Sequence, residues 1–118
     1  MYHVTTETEA KRLLDSIDDK TVILPKLYKE KDKKFVRQYN ISNADIMDII
    51  INLSYKKVRK KFKCEDKRLN AEYLFDFKSI YHSTDIFGFD EIVPIYIKIG
   101  KDIDNQDIIV VVSLHEDE

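Results

Sequence analysis

The 118-residue chain has one cysteine, two glycines, two prolines and no tryptophan. A lone Cys64 excludes an internal disulfide framework and suits a reducing compartment. So few Gly and Pro leave no room for a long flexible linker, and nothing in the chain repeats. The longest unbroken apolar stretch, Ile108 to Val112, falls far short of the ~20 residues a membrane span needs. Met1-Tyr2-His3-Val4-Thr5-Thr6-Glu7 has neither the basic nor the apolar region of a signal peptide. A cytoplasmic protein with no membrane attachment is therefore expected. Cys64 and the three scattered histidines lack the spacing of a metal site, so neither metal nor cofactor is expected.

What the chain has is a core's worth of aromatics, seven Tyr and six Phe, and charge sorted by position. The net charge is only −2, yet residues 26–68 hold 14 Lys/Arg against 6 Asp/Glu. Residues 69–118 hold 3 against 11, and residues 1–25 hold 3 against 5. The basic third peaks at Lys56-Lys57-Val58-Arg59-Lys60-Lys61-Phe62-Lys63. Such a block attracts phosphate whatever the sequence of the polymer that carries it.

The length fits one domain over 1–118, with a helical part over about 5–63 and an antiparallel sheet over about 71–116. Ala10, Leu13, Leu14 and Ile17 predict a helix over 7–18, with Thr6 and Glu9 as a capping box. Thr21–Leu24 is a short strand or extended linker stopped by Pro25. A second helix is predicted over 27–39 with Tyr28, Phe35, Val36 and Tyr39 inward and its lysines as a solvated face. A third, over 43–53, has a Ser42/Asp45 capping box and an Ile41/Ile46 staple, and should be largely buried. The basic block follows as a further helical turn and then a loop.

Alternation then predicts strands over 72–78, 93–99 and 107–115, with a hairpin loop over 100–106. Val93, Ile95, Ile97 and Ile99, and Ile108, Val110, Val112 and Leu114, should face the helices. The opposite face carries Asp76, Lys78, Tyr96, Lys98, Ser113 and His115. The fold class is thus α+β: about three N-terminal helices on one face of a C-terminal antiparallel sheet of three or more strands.

Three runs in this frame carry a resemblance: Tyr73-Leu74-Phe75-Asp76-Phe77, Ile95-Tyr96-Ile97-Lys98-Ile99 and Val111-Val112-Ser113-Leu114-His115-Glu116. With the apolar helix ending near Leu53-Ser54 and the basic segment after it, residues 35–118 resemble the motility quorum-sensing regulator (MqsR) toxins of bacterial type II toxin–antitoxin pairs. The resemblance implies a RelE-like fold and a metal-independent endoribonuclease that cuts messenger RNA, with or without the ribosome. It also implies neutralisation by an antitoxin encoded beside it. The family's lysine after the apolar helix falls on Lys60, its strand tyrosine on Tyr96, and its basic residue near the C-terminus on His115. The founding member has lysine at that last position, and its glutamine on the first long strand falls here on Asp76. A carboxylate there repels phosphate unless a lysine pairs with it.

Metal-free RNA cleavage needs a base for the 2′-OH, an acid for the leaving 5′-oxygen and cations for the phosphorane. Lys60, Tyr96, His115 and Asp76 are the catalytic candidates. Lys56, Lys57, Arg59, Lys61, Lys63 and Lys98 are the RNA-binding candidates. Each has a plainer reading: an exposed strand-end histidine, a cross-strand tyrosine, a solvated basic helix end. Tyr55 and Phe62 either stack on bases or join the core; His82 sits in a loop expected over 79–90, which either gates the site or leaves His82 an ordinary exposed histidine. A simple hairpin centred near Ile103 and Asp104 leaves Tyr96 and His115 about 10–14 Å apart, to be brought together only by a bulge or by bridging RNA. The acidic run Glu116-Asp117-Glu118 is a solubilising end or a segment that folds over the basic patch. The rival to the nuclease is a catalytically degenerate module on the same scaffold, from a phage or mobile element, that binds RNA or an acidic protein surface.

Overall fold

Local chemistry sets the helices. The structure, a computed structural model, describes residues 2–84 and 87–117, with side chains from Thr6 onward. Asp85 and Ile86 of the expected gating loop, and Glu118 of the acidic run, lie outside it. Helix α3 (Asn43–Ile51) has the reciprocal cap read from the sequence: the Asp45 N–H donates to Ser42 Oγ (3.2 Å), and the Ser42 N–H donates to Asp45 Oδ2 (2.8 Å). Its burial is one-sided, with Ile46, Ile49 and Ile50 in the core and Ile51 62 % exposed. Helix α2 (Glu30–Gln38) is shorter than predicted and closes on Asn40, at φ 50°. The Asn40 and Ile41 N–H groups return to Arg37 O and Val36 O, a Schellman turn with asparagine in the left-handed position. Helix α1 (Tyr2–Asp15) starts before the predicted 7–18 and stops short of it. Thr6 is buried inside the helix and not at its start, while Ser16 Oγ donates to Leu13 O where the chain turns away.

Five strands follow from the β-branched and aromatic runs: β1 (Val22–Pro25), β2 (Val58–Lys63), β3 (Ala71–Thr84), β4 (Asp90–Asp102) and β5 (Ile108–Glu116). Their order is β1-β5-β4-β3-β2. Four pair antiparallel, and β1 adds a parallel edge along β5, so the expected antiparallel sheet is mixed at one side. The basic block departs from its predicted helical turn and loop. Lys56 and Lys57 sit in one 3-10 turn, and Val58–Lys63 form the edge strand β2. Most of the expected 79–90 loop is the two arms of the β3–β4 hairpin, which places His82 opposite Ile92. Gly100 lies within β4, where a Cβ would come 2.6 Å from Tyr73 O, so only glycine admits this approach.

One core joins the helices to one sheet face: Ala10 and Leu13, Phe35, Ile46 and Ile50 pack with Phe75, Phe77, Val93, Ile95, Ile97, Ile99 and Leu114. The predicted inward set of β4 is in place. That of β5 holds only at Leu114, because Lys98 pairs with Ser113 while Ile99 pairs with Val111. Val112 is the extra residue of a bulge, so Ile109 and Val111 face the core in place of Ile108, Val110 and Val112. The hairpin also centres on Asn105, with Gly100 opposite Val110.

Helix α2 completes the edge. β1 pairs with β5 only as far as Val111. Beyond that point Asp32 Oδ1 accepts from the Leu114 N–H (3.0 Å), a side chain doing what a strand carbonyl does elsewhere in the ladder. The Phe35 and Tyr39 rings lie 5.0 Å apart, tilted by 48°, and both meet Tyr81 of β3 edge-on, which fixes the helix against the hairpin.

Candidate active site

The sheet face turned away from the core carries two cross-strand rows. One is Lys60–Asp76–Lys98–Ser113 and the next is Lys78–Tyr96–His115. The β5 bulge and the shifted hairpin set Tyr96 directly opposite His115, and the two rings stack at 4.8 Å with 22° between planes. The separation expected of a plain hairpin is therefore overturned. A second bulge acts in β2, where Val58 pairs with Phe77 and Lys60 with Asp76. Arg59 is the residue between them, so both cations serve one face, and the Arg59 guanidinium lies 5.7 Å from the Tyr96 ring.

Lys60 and Lys98 reach toward each other over Phe62, at 5.1 and 4.3 Å from its ring centroid. Phe62 is thus a half-buried platform of the open face and not a core residue, whereas Tyr55 packs on the core. Burial, with Lys29 and Lys60 nearby, lowers the Lys98 ammonium below its ordinary value, against Asp76 and Asp32. Burial and the neighbouring Asp76 carboxylate push the Tyr96 hydroxyl far up, so it keeps its proton. Asp76 itself is buried between its two lysine-bearing neighbours, with Oδ1 unpartnered by protein.

The far wall is α2. Lys29, Lys31 and Lys34 line an open cleft of about 570 Å³ with Arg59, Tyr96 and His115. Burial holds His115 below its ordinary 6.5, helped by Lys31 and Lys29 and opposed by Asp32 and Asp117. The imidazole is therefore neutral at pH 7 and able to take a proton. Asp32 lies under this wall at 0 % exposure, and its burial raises the carboxyl against the Leu114 N–H and His115. Asp32 and the three lysines were missed in the sequence, where α2 read as a solvated face. The signal was present for Asp32, which stands three residues before the inward Phe35 on the same helix face.

The basic block does not act as one patch. Arg59 and Lys60 join the open face, but Lys61 and Lys63 pair with Phe75 and Tyr73 and so share the helix side. Lys61 is ion-paired to Glu9 of α1 and sits 3.9 Å from the Tyr73 ring. Lys56 and Lys57 are exposed on the 3-10 turn, outside the cleft lining. Exposed His82 is outside it too, and half-buried Cys64 follows β2 with Sγ 3.8 Å from Asp66 O. Among the described residues no three His, Cys, Asp or Glu side chains converge to hold a metal, and no helix is long and apolar enough to cross a membrane. No family model, curated protein or solved structure matches this chain.

Proposed function

We propose that the open sheet face binds single-stranded messenger RNA and cleaves it without a metal, as the toxin of a type II pair of the kind the MqsR toxins represent. The observation that carries this reading is the register that sets Tyr96 against His115, with Arg59, Lys60 and Lys98 on the same face. His115, neutral at pH 7, accepts the 2′-OH proton as that oxygen attacks the adjacent phosphorus. The P–O5′ bond breaks, and Lys98, with its lowered pKa, gives its proton to the leaving oxygen. Arg59 and Lys60 stabilise the phosphorane, and Tyr96 donates a hydrogen bond to it. The products are a 2′,3′-cyclic phosphate and a 5′-OH. Lys29, Lys31 and Lys34 hold phosphates along the other wall. In this reading the protein is cytoplasmic, works with or without the ribosome, and is neutralised by an antitoxin.

Asp76 favours a second reading. A carboxylate in the middle of the cationic row weakens a phosphate site, as in a module that binds RNA without cutting it. Purified protein with a defined messenger RNA and EDTA separates the two. Cleavage to 2′,3′-cyclic ends, lowered about 10²- to 10⁴-fold in His115→Ala, supports the nuclease. Undiminished cleavage by His115→Ala sinks the assignment. Intact RNA that is still bound in a salt-sensitive manner favours the module.

A further inference from the structure

Asp117 is the first residue past β5, and its N–H extends the ladder by donating to Pro94 O (2.9 Å). That bond aims its carboxylate back across the open face, between Arg59 of β2 (3.8 Å) and Lys78 of β3 (3.7 Å). The Asp117 side chain is 22 % exposed, while the two cations it bridges are 45 % and 57 % exposed. Among the described residues, Asp117 is the carboxylate ion-paired to each of them. Lys78 is the cross-strand partner of Tyr96, and Arg59 lies over the Tyr96 ring. Two cations from different strands therefore converge beside the Tyr96–His115 pair on an anion that the chain itself supplies.

We infer that Arg59 and Lys78 form a phosphate subsite that Asp117 occupies in the free protein and that an incoming RNA strand must take from it. This rests on the open face being the RNA site, and it adds Lys78 to that site and a competitor to its affinity. A carboxylate and a phosphodiester each carry one negative charge. Exchanging one for the other leaves the local charge unchanged, and the strand wins through its further phosphates on the two walls. Loose ion pairs this exposed are weak, so the competition sets affinity without closing the site.

The test is binding of a 2′-deoxy oligonucleotide, which cannot be cut because it lacks the nucleophile, to the full chain and to Asp117→Asn. The variant should bind about two- to tenfold more tightly. The slope of log K against log salt should steepen by about 0.7, the contribution of one single-strand phosphate. Adding Lys78→Ala to Asp117→Asn should remove both gains, and thermal melts establish that each variant is folded. Unchanged or weaker binding by folded Asp117→Asn overturns the subsite, as does an absence of binding by every variant. Assays with RNA tell the two readings apart. A gain in deoxy-oligonucleotide binding with no RNA cleavage keeps the subsite and fails the nuclease. Cleavage that is lost in His115→Ala with no effect of Asp117→Asn does the reverse.

Discussion

The two faces of the sheet are built by opposite uses of one rule. On the helix side, Ile95, Ile97 and Ile99 of β4 alternate without interruption and are all at 0 % exposure. On the open side, the residues that matter are placed where alternation breaks. The β2 bulge puts Arg59 beside Lys60, and the β5 bulge brings His115 opposite Tyr96. Regular pleat makes a core because each inward position repeats the last. A bulge makes a site because it re-aims side chains without opening that core.

The largest effect should come from exchanging the character of neighbours in β4. Ile97→Asp puts an unpaired carboxylate into the core, at a cost of several kcal/mol against the roughly 5–15 kcal/mol that holds a domain together. The variant should lose its cooperative melt and most of its soluble yield. Lys98→Ala, one residue along on the other face, should melt near wild type. A soluble Ile97→Asp protein with a cooperative melt would mean that the faces are inverted. On the open face, Tyr96→Phe keeps the ring on His115 and removes only the hydroxyl. The proposed hydrogen bond to a charged phosphorane is worth about 1.5–3 kcal/mol, so cleavage should fall about 10- to 150-fold while the melt stays put. Wild-type cleavage by this variant would reduce Tyr96 to a spacer.

The legible parts of the fold were those where one residue type does one local job. The Ser42/Asp45 box and the β4 alternation carry their own geometry. The basic block misled because lysines are tolerated on helix ends and edge strands alike, and its even and odd members part company only once β2 pairs with β3. A bulge is a single extra residue in a run of β-branched side chains, so Ile108–Val112 gives no sign of where the phase changes. The parallel place of β1 was hidden too, since four extended residues do not name their partner. Asp32 could have been read from Phe35, but its bond to Leu114 depends on where β1 stops.

Asp32 also tests how the edge tunes the site. Its charge raises His115, while burial, Lys31 and Lys29 lower it and Asp117 raises it. Cleavage that needs neutral His115 should rise with pH along a limb that lies below the ordinary histidine range. Asp32→Asn keeps an acceptor for the Leu114 N–H and removes the charge, so the acidic limb of kcat/KM should move to lower pH. A limb that stays or moves upward would separate Asp32 from His115. Stability has its own sign. His115 takes its proton more readily unfolded than folded, so its contribution is complete above 6.5 and is lost as pH falls from there through the lowered folded value. Asp32 has a raised folded value, so its burial penalty is absent below 3.8 and sets in as pH rises through that value. Removing the charge should flatten the second dependence and extend the first to lower pH, because His115 loses a neighbour that raises it.

The smallest effect divides the basic block itself. Lys60 and Lys61 are adjacent and equally charged, and a purely electrostatic account of the block makes them equivalent. Their register does not: Lys60 shares a face with Asp76 and Lys98, and Lys61 is tied to Glu9 on the other side. Lys60→Ala should weaken oligonucleotide binding a few-fold and shallow the salt slope by about 0.7. Lys61→Ala should leave that slope alone and instead lower stability by at most about 1 kcal/mol through the lost ion pair. Equal slopes for the two variants would show that RNA reads the block as a diffuse field, and the open face would lose its claim to be where the strand lies.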